Sequence, residues 1–115
     1  MAAPNLLADA WETWNIGDRS VNVETASEII AKKMYHRGDR ATARDLFDLA
    51  LVIERESRSL LTAAPFLLRH REAFLNQIRR PHASLRAAFD AIDTLDYTPA
   101  FNRCVVVAGE FLESL

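Results

Sequence analysis

Glycine and proline are scarce in this sequence, and they stand mostly where one run of regularly spaced apolar residues gives way to the next. The chain of 115 residues holds 3 glycines and 4 prolines. Because these two residue types interrupt regular structure most strongly, their placement favours long helices with short connections. We therefore predict one all-α domain over residues 1–115, a bundle of about five helices with one short N-terminal strand as an optional addition.

The first part of the chain is the least regular. The pattern predicts a short helix over residues 5–14, with Trp11 and Trp14 three apart on one helical face. Residues 21–23 alternate apolar and polar side chains, which favours a short strand. Since an isolated strand pair is marginal in water, we expect its partners to lie in something outside this sequence.

Two helix starts follow. Thr25 and Glu28 have the spacing of a capping box, in which each side chain bonds the other residue's amide, and they open a helix that runs to about His36. Asp39 is placed to cap a second helix over residues 40–57. The apolar stripe of that helix consists of Ala43, Leu46, Phe47, Ala50 and Ile53.

Prolines mark the later helices. Pro65 opens a third helix over residues 64–79, and a fourth covers residues 82–95. Thr98 followed by Pro99 predicts the cap and first residue of the last helix. The predicted core residues of these helices are Phe66, Leu67, Phe74, Leu75, Ile78, Leu85, Phe89, Ile92, Leu95, Val105, Ala108, Phe111 and Leu112.

Charge, cysteine content and hydropathy limit the kinds of ligand and the cellular compartment that this chain is expected to have. The net charge is −2, from 14 basic and 16 acidic residues, so the chain as a whole has no nucleic-acid-binding signature, although a local basic patch is compatible with it. The single cysteine, Cys104, lies in an apolar run, and we interpret it as a small buried hydrophobe. No apolar stretch is long enough for a membrane span and the N-terminus is unlike a signal peptide, so we expect a cytoplasmic protein.

The side chains most suited to binding or catalysis are Lys33 and a pair of aspartates. Lys33 shares the apolar face of Ile29 and Ile30, so it either snorkels to water or is held in a cleft against a carboxylate or phosphate. Asp45 and Asp48 lie three apart on one helical face. They form either a solvated acidic face, with Arg44 paired to Asp48, or a pair that holds Mg²⁺ with substrate phosphates.

Arginines surround these residues and recur later in the chain. Arginine suits bidentate phosphate contacts, although a helix carrying several arginines is commonly just a soluble face. The first group is Arg37, Arg40 and Arg44. A second group, a weaker candidate for RNA phosphates, consists of Arg69, His70, Arg71, Arg79, Arg80, His82 and Arg86. The histidines have no partners at zinc-ligand spacing, and we assign no metal ligands.

Residues 21–49 resemble the C-terminal half of the AbiEii/AbiGii-type nucleotidyltransferase toxin family. That family has the pattern Glu-Ile-Leu-Ala-x-Lys, then an arginine, then Arg-Asp-Leu followed by Tyr or Phe and by Asp. The matching residues here are the run from Glu28 to Lys33, Arg37 and Arg40, and the run from Arg44 to Asp48. The remaining helical part is similar only in type.

The resemblance implies a DNA-polymerase-β-like nucleotidyltransferase that uses NTP and Mg²⁺ and acts as the toxin of a toxin–antitoxin or phage-defence pair. Some members are understood to add nucleotides to tRNA. Carried over by position, Lys33 would contact the NTP phosphates and Asp45 would be the C-terminal acidic residue of the catalytic site. The implied phosphate-binding residues are Arg37, Arg40 and Arg44, with Glu28 and Asp48 as supports.

The sequence also departs from that family. It has no Gly-Ser pair followed by metal-binding aspartates, so a two-metal site cannot be complete within it. We therefore expect a truncated or partial nucleotidyltransferase that is inactive alone and retains affinity for NTP with Mg²⁺ or for tRNA. The alternative is a helical protein-interaction or dimerisation module without catalysis, because a part of a larger fold exposes an apolar surface for a protein partner or a second copy.

Overall fold

The computed structural model describes residues 5–8, 10–80, 83–92 and 98–115, and the first regular element in it is a β-hairpin. Strand β1 (Trp11–Ile16) pairs antiparallel with strand β2 (Arg19–Glu24). The turn between them contains Gly17 with φ +63, a backbone conformation that glycine adopts without steric cost. The hairpin supplies the strand predicted at residues 21–23 with a partner inside the chain.

The helix predicted over residues 5–14 is wrong. Residues 11–16 are rich in aromatic and β-branched side chains, which fit a pleated surface, and a tight turn joins them to a complementary strand. Because strand residues alternate between faces, Trp11 and Trp14 lie on opposite faces of the hairpin. Each is about half exposed.

Helices make up most of the remaining chain, which confirms the predicted all-α bundle with a short N-terminal β element. Among the described residues, five α-helices have eight residues or more, and one has a single turn. They are α1 (Ala26–Arg37), α2 (Ala43–Leu60), the single turn α3 (Ala64–Leu67), α4 (Arg71–Arg79), α5 (Ala83–Asp90) and α6 (Phe101–Glu113). Short 3₁₀ turns cover Gly38–Arg40 and Leu61–Ala63.

The start of α2 differs from the prediction. Its N-cap is Thr42, and Asp39 lies in the preceding 3₁₀ turn. The Thr42 hydroxyl accepts from the Asp45 amide at 3.2 Å, and the Asp45 carboxylate accepts from the Thr42 amide at 3.2 Å. This reciprocal pair satisfies two amides that would otherwise lack partners, and so it determines where the helix begins.

The capping box predicted for α1 forms only in part. The Thr25 hydroxyl accepts from the Glu28 amide at 3.2 Å, as expected. The Thr25 amide, however, donates to the carbonyl of Ala10 at 2.8 Å, which extends the hairpin ladder to the base of α1. The Glu28 carboxylate is therefore available for other donors.

The single helix predicted over residues 64–79 is broken into α3 and α4. The break lies at Leu68–His70, where His70 has φ −118 and ψ 21. The guanidinium of Arg69 stacks on the ring of Tyr35 at 4.5 Å, and His70 packs so closely on Gly38 that a Cβ there would lie 2.8 Å from the His70 Cβ. These contacts with α1 and its following turn bend the chain away from a straight helix.

The two remaining predicted helices are shorter than expected. α5 ends at Asp90, and the predicted positions His82 and Leu95 lie outside the described residues. α6 begins at Phe101 with Ala100 as its N-cap, so the Thr98 cap is wrong. Phe101 packs edge-to-face on Phe89 at 5.3 Å, which anchors the first residue of α6 against α5.

The core centres on α2, which packs against α1, α5 and α6. Cys104 is fully buried, in agreement with its interpretation as a small hydrophobe. The fully buried apolar side chains include Leu46, Ala50, Leu60, Leu67, Phe74, Ala108 and Leu112. None of the helices formed by the described residues is long and apolar enough to cross a membrane.

Candidate functional site

The predicted site residues meet where the end of α1 lies beside the start of α2. Lys33 and Arg37 are four apart on α1, and Asp45 and Asp48 are three apart on α2, so each pair lies on one helical face. The intervening 3₁₀ turn is short and α1 packs on α2, which brings the two faces together. Arg44 joins the group from the first turn of α2. We call these five residues the charge cluster.

Direct contacts link the charge cluster across the two helices. The Lys33 Nζ donates to Asp48 Oδ2 at 2.7 Å and lies 4.0 Å from Asp45 Oδ1. The Arg37 Nη2 donates to Asp45 Oδ1 at 2.6 Å. The Arg44 Nε donates to Asp48 Oδ1 at 3.1 Å, which is the i, i+4 pair anticipated from the sequence.

Helix ends favour this distribution of charge. The cations Lys33 and Arg37 lie in the last turns of α1, where the helix dipole is negative, and Asp45 lies in the first turn of α2, where the dipole is positive. Asp45 has a second role there, because its other oxygen closes the capping box with Thr42. One carboxylate thus begins α2 and holds a cation of α1.

Burial decides between the alternatives that the sequence left open. The Lys33 side chain is 27% exposed and the Asp45 side chain 5% exposed. Asp45 is therefore not part of a solvated acidic face. Lys33 both snorkels and pairs with a carboxylate. Its stem borders an apolar cavity together with Ile30 and Met34, and its ammonium group contacts a carboxylate at the edge of the bundle.

A small cavity lies beneath the cluster. Its volume is only about 10 Å³, and it is lined by Ile30, Lys33, Met34, Gly38, Asp45, Leu49 and Phe74. Pockets that engulf a small-molecule ligand measure about 300–1,000 Å³. This cavity is therefore too small to enclose a ligand of that size.

Two predicted site residues are not drawn into the cluster. The Arg40 guanidinium contacts Asp39 and the His36 carbonyl, and three quarters of its side chain is exposed. The Glu28 carboxylate accepts from the amides of Leu6 and Leu7, at 3.0 and 2.9 Å through Oε1. Glu28 thus binds the N-terminal segment to the start of α1 and does not support the cations.

The sequence held a signal for one residue that was missed. Thr42 and Asp45 have the Thr-x-x-Asp spacing of a helix start, and the choice of Asp39 as the cap overlooked it. Gly38 gave no comparable signal. Its need to be small comes from the approach of His70, which lies 32 residues further along the chain and which sequence spacing cannot indicate.

The second basic group is divided among several places. Arg69 stacks on Tyr35, His70 packs on Gly38, and Arg71 Nη1 donates to the Leu112 carbonyl at 3.4 Å. These residues therefore have structural contacts. Arg79, Arg80 and Arg86 instead line one groove between α4, α5 and α6.

The donor chemistry of the cluster favours phosphate over a resident metal ion. All four carboxylate oxygens of Asp45 and Asp48 already accept, from Arg37, Thr42, Arg44 and Lys33. Within the part of the chain that the structure describes, no three His, Cys, Asp or Glu side chains group as metal ligands. A metal ion would have to compete with these donors for the carboxylates, whereas the three cations suit an anionic oxygen.

Comparison with known proteins connects this geometry to one family. No curated protein and no solved structure matches the chain. A family model described as the nucleotidyl transferase AbiEii toxin of a type IV toxin–antitoxin system matches residues 2–113. This match extends over the hairpin, the charge cluster and the later helices, so the chain belongs to the AbiEii nucleotidyl transferase toxin family.

Proposed function

We propose that this chain forms the phosphate-binding part of a toxin-type nucleotidyltransferase site, with Lys33 contacting the phosphates of an NTP. The observation that carries the proposal is the position of the Lys33 ammonium group, 2.7 Å from Asp48 and 4.0 Å from Asp45 at a partly exposed edge. Two carboxylates on α2 hold the ammonium group in one place. Nucleotidyl transfer depends mainly on such positioning and on electrostatic stabilisation.

The charges of the cluster fit a phosphate. Lys33, Arg37 and Arg44 supply three positive charges against the two of Asp45 and Asp48. Arg37 and Arg44 are 46% and 60% exposed, so both guanidinium groups can reach a ligand on the solvent side. An incoming phosphate would take the place of Asp48 at Lys33 while Asp45 continues to orient the two helices.

We further propose that the chain is inactive alone. The sequence has no Gly-Ser pair followed by metal-binding aspartates, and the described residues include no group of three His, Cys, Asp or Glu side chains that could hold a metal ion. Mg²⁺ would then arrive bound to the NTP phosphates, and the ligands that complete a metal site would come from another segment or another chain. The acceptor of the nucleotide, for which the family resemblance suggests tRNA, is part of the same proposal.

A thermal-shift titration tests phosphate binding at Lys33. Wild type and Lys33→Ala are titrated with ATP, GTP, CTP and UTP, each with and without Mg²⁺. A ligand at 100 times its Kd stabilises the native state by about 2.7 kcal/mol, which raises the Tm of a domain of this size by several degrees. We expect this rise in wild type and its disappearance in Lys33→Ala.

Lys32→Ala is the matched control. Lys32 precedes Lys33 in the same helix and carries the same charge, but it pairs with Glu24 of the hairpin. We expect Lys32→Ala to keep the nucleotide-dependent rise. No rise in wild type with any nucleotide, or an equally diminished rise in both variants, would contradict the proposal.

The hairpin favours a second function, protein interaction or dimerisation. Glu12, Trp14 and Ile16 of β1 share one face with their partners Val23, Val21 and Arg19 of β2. Trp14 is 51% and Ile16 60% exposed, so this face presents apolar surface to solvent. Exposed apolar patches of this kind mark interaction sites.

A further inference from the structure

A groove between α4, α5 and α6 is separate from the charge cluster. It has a volume of about 420 Å³ and is lined by Ile78, Arg79, Arg80, Ala83, Arg86, Phe101, Asn102 and Val105. The three arginines come from α4, the end of α4 and α5, whereas the apolar floor comes largely from α4 and α6. Three arginines and one aromatic residue thus line the same groove.

Arg79 is held in place by α6. Its Nη1 pairs with Glu113 Oε1 at 2.6 Å. Its guanidinium also lies close to Gly109, where an added Cβ would stand 2.6 Å from Nη2. Gly109 therefore leaves the space that this guanidinium occupies, and the two contacts place it against the C-terminal part of α6, beside the groove.

Arg86 is positioned by an aromatic contact. Its guanidinium carbon lies 5.7 Å from the centre of the Phe101 ring, within cation–π range. Phe101 itself packs edge-to-face on Phe89, so the ring is supported from the core side. Arg80, between these two arginines along the chain, is exposed.

The local charge of the groove contrasts with that of the whole chain. Three arginines line the groove and the carboxylate of Glu113 pairs with one of them, whereas the complete sequence has a net charge of −2. A positive groove on a slightly negative protein is not a consequence of average composition. It favours an anionic ligand at this place.

We propose that this groove binds the phosphodiester backbone of a single-stranded nucleic acid. The arginines would contact successive phosphates, and the Phe101 ring and the apolar floor would face a base. Proteins that bind single strands combine a basic groove with aromatic stacking in this way. An open groove with cations along its border suits a strand that passes through it better than a nucleotide that must be enclosed.

Fluorescence anisotropy with labelled ten-nucleotide oligo(U) and oligo(dT) tests the proposal on the full chain. We expect wild type to bind at least one of the two probes. Arg79→Ala, Arg80→Ala and Arg86→Ala should each weaken binding several-fold. The dependence of log K on log salt has a slope of about −0.7 per neutralised phosphate for single strands, so each variant should show a slope that is shallower by about that amount.

Gly109→Ala is the most specific variant. It removes no charge, but the new Cβ displaces the Arg79 guanidinium, so we expect weaker binding with the net charge unchanged. Arg19→Ala in the hairpin is the control for a general reduction of positive charge and should bind like wild type. Circular dichroism and Tm establish that each variant is folded, and if Gly109→Ala does not fold, the three arginine variants decide the test.

The outcomes separate this site from the charge cluster. Lys33→Ala should bind the oligonucleotides like wild type, whatever it does to NTP binding. Absence of binding to both probes would overturn the proposal. It would also be overturned if Arg19→Ala weakened binding as much as the groove variants do, or if UMP and dTMP displaced the probes at concentrations equal to those of the unlabelled strands.

Discussion

Glu28 shows how much one residue's role depends on its surroundings. Its side chain is completely buried, and its carboxylate accepts from the backbone amides of Leu6 and Leu7. The sequence indicated a cap partner and a support of the catalytic site. In the structure, Glu28 instead binds the N-terminal segment, because the Thr25 amide already donates to the Ala10 carbonyl.

Removal of the Glu28 carboxylate should destabilise the fold. In Glu28→Ala, two backbone amides are left without their acceptor, and we expect a decrease of about 2–4 kcal/mol in the free energy of unfolding, since an unsatisfied buried donor costs about 1–3 kcal/mol. Glu28→Gln keeps an acceptor oxygen and should show less than half of that decrease. Urea denaturation measures both variants, and equal decreases in the two would contradict this account.

At the scale of elements, the two caps differ in completeness. α2 begins with a reciprocal pair between Thr42 and Asp45, whereas at α1 only the Thr25 hydroxyl acts. Asp45 also binds Arg37 of α1, so the α2 cap and the contact between the helices share one carboxylate. Loss of the Thr42–Asp45 cap would therefore also affect the position of Asp45 in the charge cluster.

Thr42→Ala should cost more stability than Thr25→Ala. Removal of a threonine cap typically costs about 1 kcal/mol and at most about 2 kcal/mol, and we expect Thr42→Ala near the upper value because the Asp45 amide then loses its acceptor at the residue that also binds Arg37. Thr42→Ser, which retains the hydroxyl, should unfold like wild type. Chemical denaturation of the three variants provides the measurement, and a larger effect for Thr25→Ala would refute the argument.

In the whole molecule, the hairpin extends from a bundle that buries most of its apolar side chains, although Ile29, Leu61, Leu68 and Val106 are also exposed. All six residues of β1 are exposed, and the molecule is elongated, at 48 × 31 × 29 Å. The apolar hairpin face carries Glu12 near its base and Arg19 at its tip. Opposite charges therefore lie at the two ends of this face.

Self-association through this face should depend on Trp14. If the dimerisation function operates, sedimentation velocity should show a concentration-dependent dimer in wild type and a monomer in Trp14→Ser. Trp11→Ser removes a tryptophan of equal exposure from the opposite face and should leave the dimer intact. A monomeric wild type at high protein concentration would contradict this second function.

Local sequence patterns were sufficient to predict the class of fold and the family. Helical periodicity, scarce glycine and the Lys33 and Asp45 patterns are local features, and neighbours along a helix lie at fixed separations whatever the rest of the chain does. These features led to the helical bundle, the Arg44–Asp48 pair and the AbiEii resemblance, which the family match confirms.

Packing between distant segments determines which residues of the site are in contact. The pairing of Lys33 with Asp48, the burial of Asp45 and the assignment of Glu28 to the N-terminal segment depend on how the elements pack together. The break before α4 depends on contacts of Arg69 and His70 with Tyr35 and Gly38, which lie far earlier in the chain. Contacts between distant segments override local preference, because they bury surface and satisfy polar groups that spacing along the chain does not reveal.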